Sequence, residues 1–368
     1  MPSTPKNLVL ITGVTGHIGF RTLILALKAG HHVRAAVRSP SKAQSIASHP
    51  KILALNCSSR LTFSIVPDLA CLHAYDTAVQ GVRYIIHIAA PLMPGKLPKG
   101  QDSHTFFIRP AVRGTIGILS AAKKAGTVRR IVITSSLVAI VPLAQLTGFE
   151  SSPRPIQPTD RVEFAEGPYE SEFAAYAASK VAALSAAENW MNRQSPNFDL
   201  IHLHPSFVLG KNEIAATTKE AMKGTNSIVL GMVLGKCMGS IASASVHLED
   251  VARVHVQALS SLVPGNQSYI LSQETKWSCV RQLVDEVFPE AVESRVLPNC
   301  GSAQTHEILV NSSFTEAVFG FEHKGLEEQV ESVVGYYLEL KAKRRSWLEP
   351  IGGMGNYSQP LIPSGIAA

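Results

Sequence analysis

Between residues 9 and 19 the chain reads Val-Leu-Ile-Thr-Gly-Val-Thr-Gly-His-Ile-Gly, an apolar strand running straight into glycines at 13, 16 and 19. An amphipathic stretch, 18–29, follows with helical spacing. A strand, a tight turn and a helix start gather bare backbone N–H groups and the positive end of a helix dipole at one spot. That spot suits an anion such as a pyrophosphate. Gly13 would serve the turn, Gly16 the close approach of phosphate and Gly19 the packing of helix on strand. The spacing Gly-x-x-Gly-x-x-Gly departs from the commoner Gly-x-Gly-x-x-Gly, and three glycines alone also describe an ordinary turn. The flanking strand and helix favour the dinucleotide reading.

Alternation then continues. Strand-like runs at 7–12, 32–38, 62–66, 84–89, 130–134 and 199–204 are separated by helical runs at 18–29, 41–48, 75–80, 111–125 and 176–193. Nearly continuous apolar strands such as Ile85-Ile86-His87-Ile88-Ala89 predict a parallel sheet covered on both faces. The expectation is an α/β, doubly wound Rossmann sheet with a smaller, discontinuous substrate-binding domain toward the C-terminus. Residues 1–205 would bind the dinucleotide, with 241–262 returning to that unit. Residues 206–240 and 263–343 would face substrate, and 344–368, where periodicity fades, would form a surface tail. Pro- and Gly-rich stretches at 91–100 and 152–158 read as loops.

Composition removes several classes. A 45% hydrophobic and 17% charged chain has ample material for a core. Met1–Asn7 carries no apolar h-region, which predicts no secretory signal. Cysteines 57, 71, 237, 279 and 300 form no Cys-x-x-Cys pair, so reduced thiols, a cytoplasmic setting and no metal site are expected. The net charge of +6 is spread along the chain without a basic face, which argues against nucleic acid. Residues 227–246 are nearly apolar, with glycines at 231, 235 and 239, but Lys236 and several serines argue against a membrane span. A pocket-lining segment is expected there instead.

The end of the second strand bears on the cofactor. An acidic residue there would hydrogen-bond the ribose 2′-hydroxyl of NAD. This chain has Val33-Arg34-Ala35-Ala36-Val37-Arg38-Ser39, with Lys42 close behind and no carboxylate. Arg38 can offer a planar fork to a 2′-phosphate and Lys42 a second charge. An arginine at a strand end is also an ordinary solvated terminus; the missing acid favours NADP(H). Asp68-Leu69 would meet the adenine, or Asp68 would simply cap a helix.

Tyr176 and Lys180 stand at i and i+4 and therefore share one helix face. The pattern is weak alone. Eight tyrosines and 17 lysines in 368 residues give a chance expectation of roughly 0.4 such pairs, the product of the counts over the length. A second pair, Tyr337 and Lys341, indeed occurs. Context separates them: Tyr176 follows the strand 130–134, which ends in Thr134-Ser135-Ser136, at the edge where parallel sheets bind ligands. No such strand precedes Tyr337, which is expected to be a packing residue.

Taken together, Thr12-Gly13-x-x-Gly16-x-x-Gly19, Asp68-Leu69, His87-Ile88-Ala89-Ala90-Pro91, Gly114-Thr115, Thr134-Ser135-Ser136, Tyr176-x-x-x-Lys180 and Val246-His247-Leu248-Glu249-Asp250 resemble the extended short-chain dehydrogenase/reductases. The motifs cover residues 6 to 260 in order. Val33–Pro40 and Arg129–Ser136 are most similar to dihydroflavonol reductases, cinnamoyl-CoA reductases and fungal ketone and aldehyde reductases. The resemblance implies a catalytic set of Ser136, Tyr176 and Lys180. It implies cofactor contacts from Gly13, Thr15, Gly16, His17, Ile18, Gly19, Arg38, Lys42, Asp68, Leu69, Ala89, Ala90, Tyr176, Lys180, Pro205 and Ser206.

Three departures narrow that transfer. Ala111 stands where many extended members place an asparagine, so a proton relay through that side chain is absent. Val141 replaces the asparagine that holds flavonoid hydroxyls in dihydroflavonol reductases. The Asn-Trp-Tyr-Cys signature of cinnamoyl-CoA reductases is missing.

The implied reaction is reduction of a small-molecule ketone or aldehyde by NADPH. Tyr176 would be the general acid, Ser136 would hold the carbonyl oxygen, and Lys180 would tune the tyrosine and bind ribose. Leu137, Val138, Val141, Phe207, 228–230 and 232–234 would close an apolar pocket, pointing to an apolar or aromatic biosynthetic intermediate. Two alternatives stay open at this point: a sugar-nucleotide epimerase or dehydratase, and a non-catalytic NADP-binding sensor.

Overall fold

The structure, a computed structural model, describes residues 7–93, 97 and 102–348. Its first half lays down β1 (Leu8–Thr12), α1 (His17–Lys28), β2 (His32–Val37), α2 (Pro40–Ala47), β3 (Leu61–Ile65), β4 (Tyr84–His87), α3 (Arg109–Ala125), β5 (Arg130–Thr134), α4 (Glu172–Gln194) and β6 (Asp199–Pro205). There follow β7 (Phe207–Leu209), α5 (Asn226–Val233), β8 (Cys237–Ala242), β9 (Ala244–His247), α6 (Leu248–Gln257), β10 (Gln267–Leu271), β11 (Gln273–Glu274), α7 (Val280–Val287), β12 (Ser302–His306) and α8 (Leu326–Leu348). Helix numbers are given to helices of eight residues or more.

Seven strands form one sheet in the order β10-β6-β5-β4-β1-β2-β3. Every neighbouring pair is parallel. The strand sequence explains the layers. All five residues of β1 are buried, and alternate ones point to opposite faces. Val9 and Ile11 join Phe20, Leu23 and Leu27 of α1 and Val251 and Val254 of α6. Leu8 and Leu10 join Ile118 and Leu119 of α3 and Ala187 of α4. Each such aliphatic side chain contributes about 1.5–3 kcal/mol on burial, so two apolar faces rather than one hold this sheet. The sheet's reversal of order between β1 and β4 places a crevice at their carboxyl ends.

The second lobe grows from the end of β6. There α5 is buried on almost every side against α7 and α8, and β8 pairs with β12. The chain also comes back: α6 packs on α1, and β10 closes the sheet beside β6. β10 falls within the stretch 263–343 that was expected to face substrate; it is instead the seventh strand of the central sheet.

Other expectations are corrected in detail. The run 75–80 forms turns rather than a helix, with one i to i+4 bond (Val79 N–H to the Tyr75 carbonyl) and i to i+3 bonds around it, ended by Gly81 at φ +70°. Burial of Tyr75, Ala78, Val79 and Val82 beneath the sheet explains the helix-like apolar spacing. α4 starts at Glu172, capped by Ser171 Oγ accepting from Ala174 N–H at 3.1 Å, so Tyr176 lies in its second turn rather than at its start. α8 continues through 344–348, which were expected to be tail; 349–368 lie outside the described residues. Of the loop at 91–100 only 91–93 and 97 are described. The stretch 227–246 divides into α5, β8 and β9, and no helix among the described residues is long and apolar enough to cross a membrane.

Candidate active site

The glycine turn has the geometry its spacing implies. Gly13 adopts φ +75°, and a Cβ there would come within 2.9 Å of Ala89 N. A Cβ on Gly19 would collide with the Gly13 carbonyl, so this glycine lets α1 pack on the turn more than on the strand. Gly16 is exposed, and beyond the Gly13 carbonyl at 3.4 Å nothing crowds a Cβ built on it. It also caps α1 with no side-chain hydrogen bond, and the first turn of α1 holds no acid. Thr12 fastens the turn to β4: its Oγ1 accepts from Ile88 and Ala89 N–H at 3.0 and 3.1 Å and donates to His87 Nδ1 at 2.9 Å. The residues present therefore fit a dinucleotide phosphate, with orphan donors and open space at a positive helix end. Arg38 and Lys42 are exposed just past β2, and among the described residues neither side chain makes an ion pair or hydrogen bond.

Several of the expected cofactor-binding residues also make contacts within the protein. The His17 ring donates from Nε2 to the Gly210 carbonyl at 3.1 Å, tying α1 to the second lobe. Burial holds its pKa down to about 4, so it stays neutral. Asp68 lies past the end of β3 and accepts from Ala70 N–H at 2.8 Å, the capping alternative in a turn rather than a helix. Leu69 fills the space that a side chain at Gly114 would need, so it packs on α3. Ser206 gives both its N–H and its hydroxyl to the Leu271 carbonyl, locking the ends of β6 and β10 together just after Pro205. Thr15 and Ile18 are half-buried at the turn. Ala89 and Ala90 border a cavity they share with Lys180.

Ser136, Tyr176 and Lys180 converge at the carboxyl end of β5. The Ser136 hydroxyl lies near enough to Tyr176 to pull its pKa down, and Lys180 Nζ lies 5.7 Å from the centre of the Tyr176 ring. Lys180 is 8% exposed, and burial lowers its ammonium to about 8. Burial raises the Tyr176 hydroxyl, while the neighbouring Ser136 hydroxyl pulls it down; burial prevails. The phenol is thus kept protonated beside a cation that loses its proton readily.

Two histidines position this end of β5: His204, whose His-Pro-Ser run was expected beside the nicotinamide, and His255, which sequence reasoning did not single out. His204 Nδ1–H donates to the Ser136 carbonyl at 3.2 Å. His255 Nδ1–H donates to the Val251 carbonyl at 2.7 Å, which leaves Nε2 to accept from Thr134 Oγ1 at 2.6 Å. A single histidine carries no periodic signal, and each is recruited by a partner far along the chain. The expected apolar pocket is also smaller than supposed. Leu137 and Val141 are buried in a cluster with Ile140 and Ile270, and 228–230, 232 and 233 are buried in the core of the second lobe. A helix apolar all round serves a core. Val138, Phe207 and Leu234 remain only partly buried. Among the described residues, no group of three His, Cys, Asp or Glu side chains is arranged to hold a metal.

The molecule is thus a Rossmann-type fold with a phosphate-ready glycine turn and a serine, a tyrosine and a lysine gathered at the same sheet edge. A family model described as the NAD dependent epimerase/dehydratase family matches residues 9–271, and the chain belongs to that family. It is 40% identical over 352 residues to ketoreductase CTB6 of Cercospora nicotianae, covering 92% of this chain and 96% of that protein. It is 35% identical over 347 residues to the NAD-dependent epimerase/dehydratase ALT6 of Alternaria alternata, covering 89% and 96%. Among solved structures, yeast methylglyoxal/isovaleraldehyde reductase Gre2 complexed with NADPH superposes with a TM-score of 0.73. That likeness spans 91% of this chain and 99% of Gre2 at 22% identity, and it speaks for the fold.

Proposed function

We propose that this protein reduces a ketone or aldehyde to an alcohol with NADPH. The observation that carries the reading is the convergence of Ser136, Tyr176 and Lys180 at the carboxyl edge of the sheet, with the Lys180 ammonium 5.7 Å from the centre of the Tyr176 ring and the Ser136 hydroxyl near enough to perturb the tyrosine. Relatives named ketoreductases and an NADPH-bound structural neighbour support it. Bound along the turn, NADPH supplies the hydride. Ser136 Oγ–H then holds the carbonyl oxygen, and Tyr176 O–H gives that oxygen its proton as charge develops. The Lys180 ammonium stabilises the tyrosinate left behind and fixes the nicotinamide ribose. Arg38 and Lys42 receive the 2′-phosphate, and the turn's N–H groups the pyrophosphate.

The substrate class is an apolar or aromatic carbonyl of a biosynthetic pathway, met by half-buried Val138 and Phe207. The residues' own division of the chain is a dinucleotide unit extending through β6 and regained by α6 and β10, with the second lobe facing substrate. The test is a panel of aliphatic and aromatic ketones and aldehydes with NADPH oxidation followed and the alcohol identified. Turnover of apolar members with NADPH preferred over NADH is expected. Stoichiometric NADPH binding without turnover over the whole panel would overturn the catalytic reading, and epimerised product from UDP-glucose would redirect it.

A further inference from the structure

Each turnover of the proposed reaction consumes one proton, and Lys180, which recharges the tyrosine, is buried. Lys180 borders a cavity enclosed by α3, α4 and the carboxyl ends of β4 and β5, whose polar lining is His87, Thr115, Thr134, Ser135 and His202. Ala111 adds only a methyl group to that wall. Thr12 donates to His87 Nδ1, which leaves His87 an Nε2–H donor. On the far side of His202 lies a second, wider groove between α4 and the start of β10, bordered by Arg161, Glu188, Asn192 and Ser268. His202 is the residue common to both. It is 5% exposed, and its Nε2 is buried without a hydrogen-bond partner. An orphaned buried ring nitrogen is costly unless water satisfies it, and the hydroxyl and imidazole groups around this small cavity give a water its partners.

We infer that His202 is the solvent end of a proton path that refills Lys180 through cavity water. The inference rests on the reading of Tyr176 and Lys180 as the proton-handling pair. Tyr176 O–H loses its proton to the alkoxide, and the Lys180 ammonium returns one to the tyrosinate. The Lys180 amine then takes a proton from cavity water, which takes one from the imidazole N–H of His202. The other ring nitrogen takes a proton from groove water, so one solvent proton enters and the imidazole is left as its other tautomer until the ring turns over. The titratable groups around His202 are Lys180 and His87, which line the inner cavity with it, Arg161 and Glu188, which line the outer groove with it, and His204, whose ring lies 6.3 Å away. Burial first, and the Arg161 charge second, hold its pKa near 3. His202 therefore passes a proton only as it receives one and stores none. It is a positioning and relay residue, since it touches neither substrate nor cofactor.

The test compares His202→Phe, which keeps a buried ring, and Ala183→Leu, which fills the cavity wall without altering a titratable group, with wild type. Expected for both are unchanged NADPH affinity and melting temperature and a kcat lower by about tenfold, below the 10²–10⁴ of a direct acid. The solvent deuterium isotope effect should rise while that from deuterated NADPH falls toward unity, because proton resupply has become limiting. A high-resolution crystal structure of the wild type should show ordered water between Lys180 and His202. Wild-type kcat and isotope effects in a folded His202→Phe, or a dry cavity, would overturn the path. Tyr176→Phe is the control: if it retains turnover, the underlying catalytic reading fails, whereas its inactivity beside a normal His202→Phe rejects the path alone.

Discussion

Two tyrosine–lysine pairs with identical spacing sit in two helices of equal length, and only one faces a place where chemistry can happen. Tyr176 and Lys180 project from α4 toward the end of β5, where the chain stops being sheet and hydroxyls become available. Tyr337 projects from α8 into the core of the second lobe, with Lys341 half-buried one turn further on. Tyr337 packs among apolar side chains, and Lys341 Nζ donates to the Val296 carbonyl at 2.8 Å. Lys180 meets no such carbonyl among the described residues and is held by burial beside an aromatic ring. Spacing fixes which helix face two side chains share. The element that face meets decides whether they can exchange a proton.

The largest way to break this contrast is Tyr176→Phe, which removes one hydroxyl and leaves the packing. Its kcat should fall by about 10²–10⁴-fold with NADPH binding retained, while Tyr337→Phe stays close to wild type. Steady-state rates with any accepted carbonyl, beside cofactor titration, decide it. Near-normal turnover in the first variant or collapse in a folded second would reverse the assignment.

The contrast sharpens with pH. The Lys180 ammonium persists below its lowered pKa of about 8 and is lost above it. Reduction uses the protonated forms of both Lys180 and Tyr176, so kcat/KM should be level at neutral pH and fall about tenfold per unit above 8. Lys180→Met should remove that limb and weaken NADPH binding, and a profile level to pH 10 in wild type would contradict the role.

Truncating the other pair should speak through stability. Tyr337→Ala is expected to cost about 2–4 kcal/mol, because a large buried side chain leaves a cavity. Denaturant unfolding would measure it, with kcat per folded molecule unchanged. Arg38→Glu separates cofactor binding from both pairs. It should weaken NADPH by roughly 10- to 100-fold, or about 1.5–3 kcal/mol, and NADH far less. An unchanged NADPH titration would show that Arg38 does not read the 2′-phosphate. The smallest effect belongs to Lys341→Met, about 1 kcal/mol of stability for one hydrogen bond.

Much of the first lobe is legible because its signals are local. Apolar runs such as Arg130–Thr134 coincide with their strand, and the glycines at 13 and 19 explain themselves through φ and through contact. The run at 75–80 misleads because turns packed beneath a sheet need the same apolar spacing as a helix. In the site, the tyrosine, lysine and serine are readable from order and context. The roles of His204 and His255 are not, since their work is done through the Ser136 carbonyl and Thr134 Oγ1, 68 and 121 residues away in sequence. The apolar segment 227–246 shows the remaining ambiguity: composition reports that it is buried and leaves open whether against ligand or against protein.

The sheet's last strand arrives late. β10 pairs with β6 from Gln267↔Ile201 to Leu271↔Pro205, yet the whole first part of the second lobe is encoded between them. A chain emerging from the ribosome amino end first completes six strands well before the seventh exists. Throughout that interval β6, with six of its seven residues destined for burial, is an open apolar border able to recruit another nascent copy. The strand that finishes the sheet is therefore also the one that closes this exposed border.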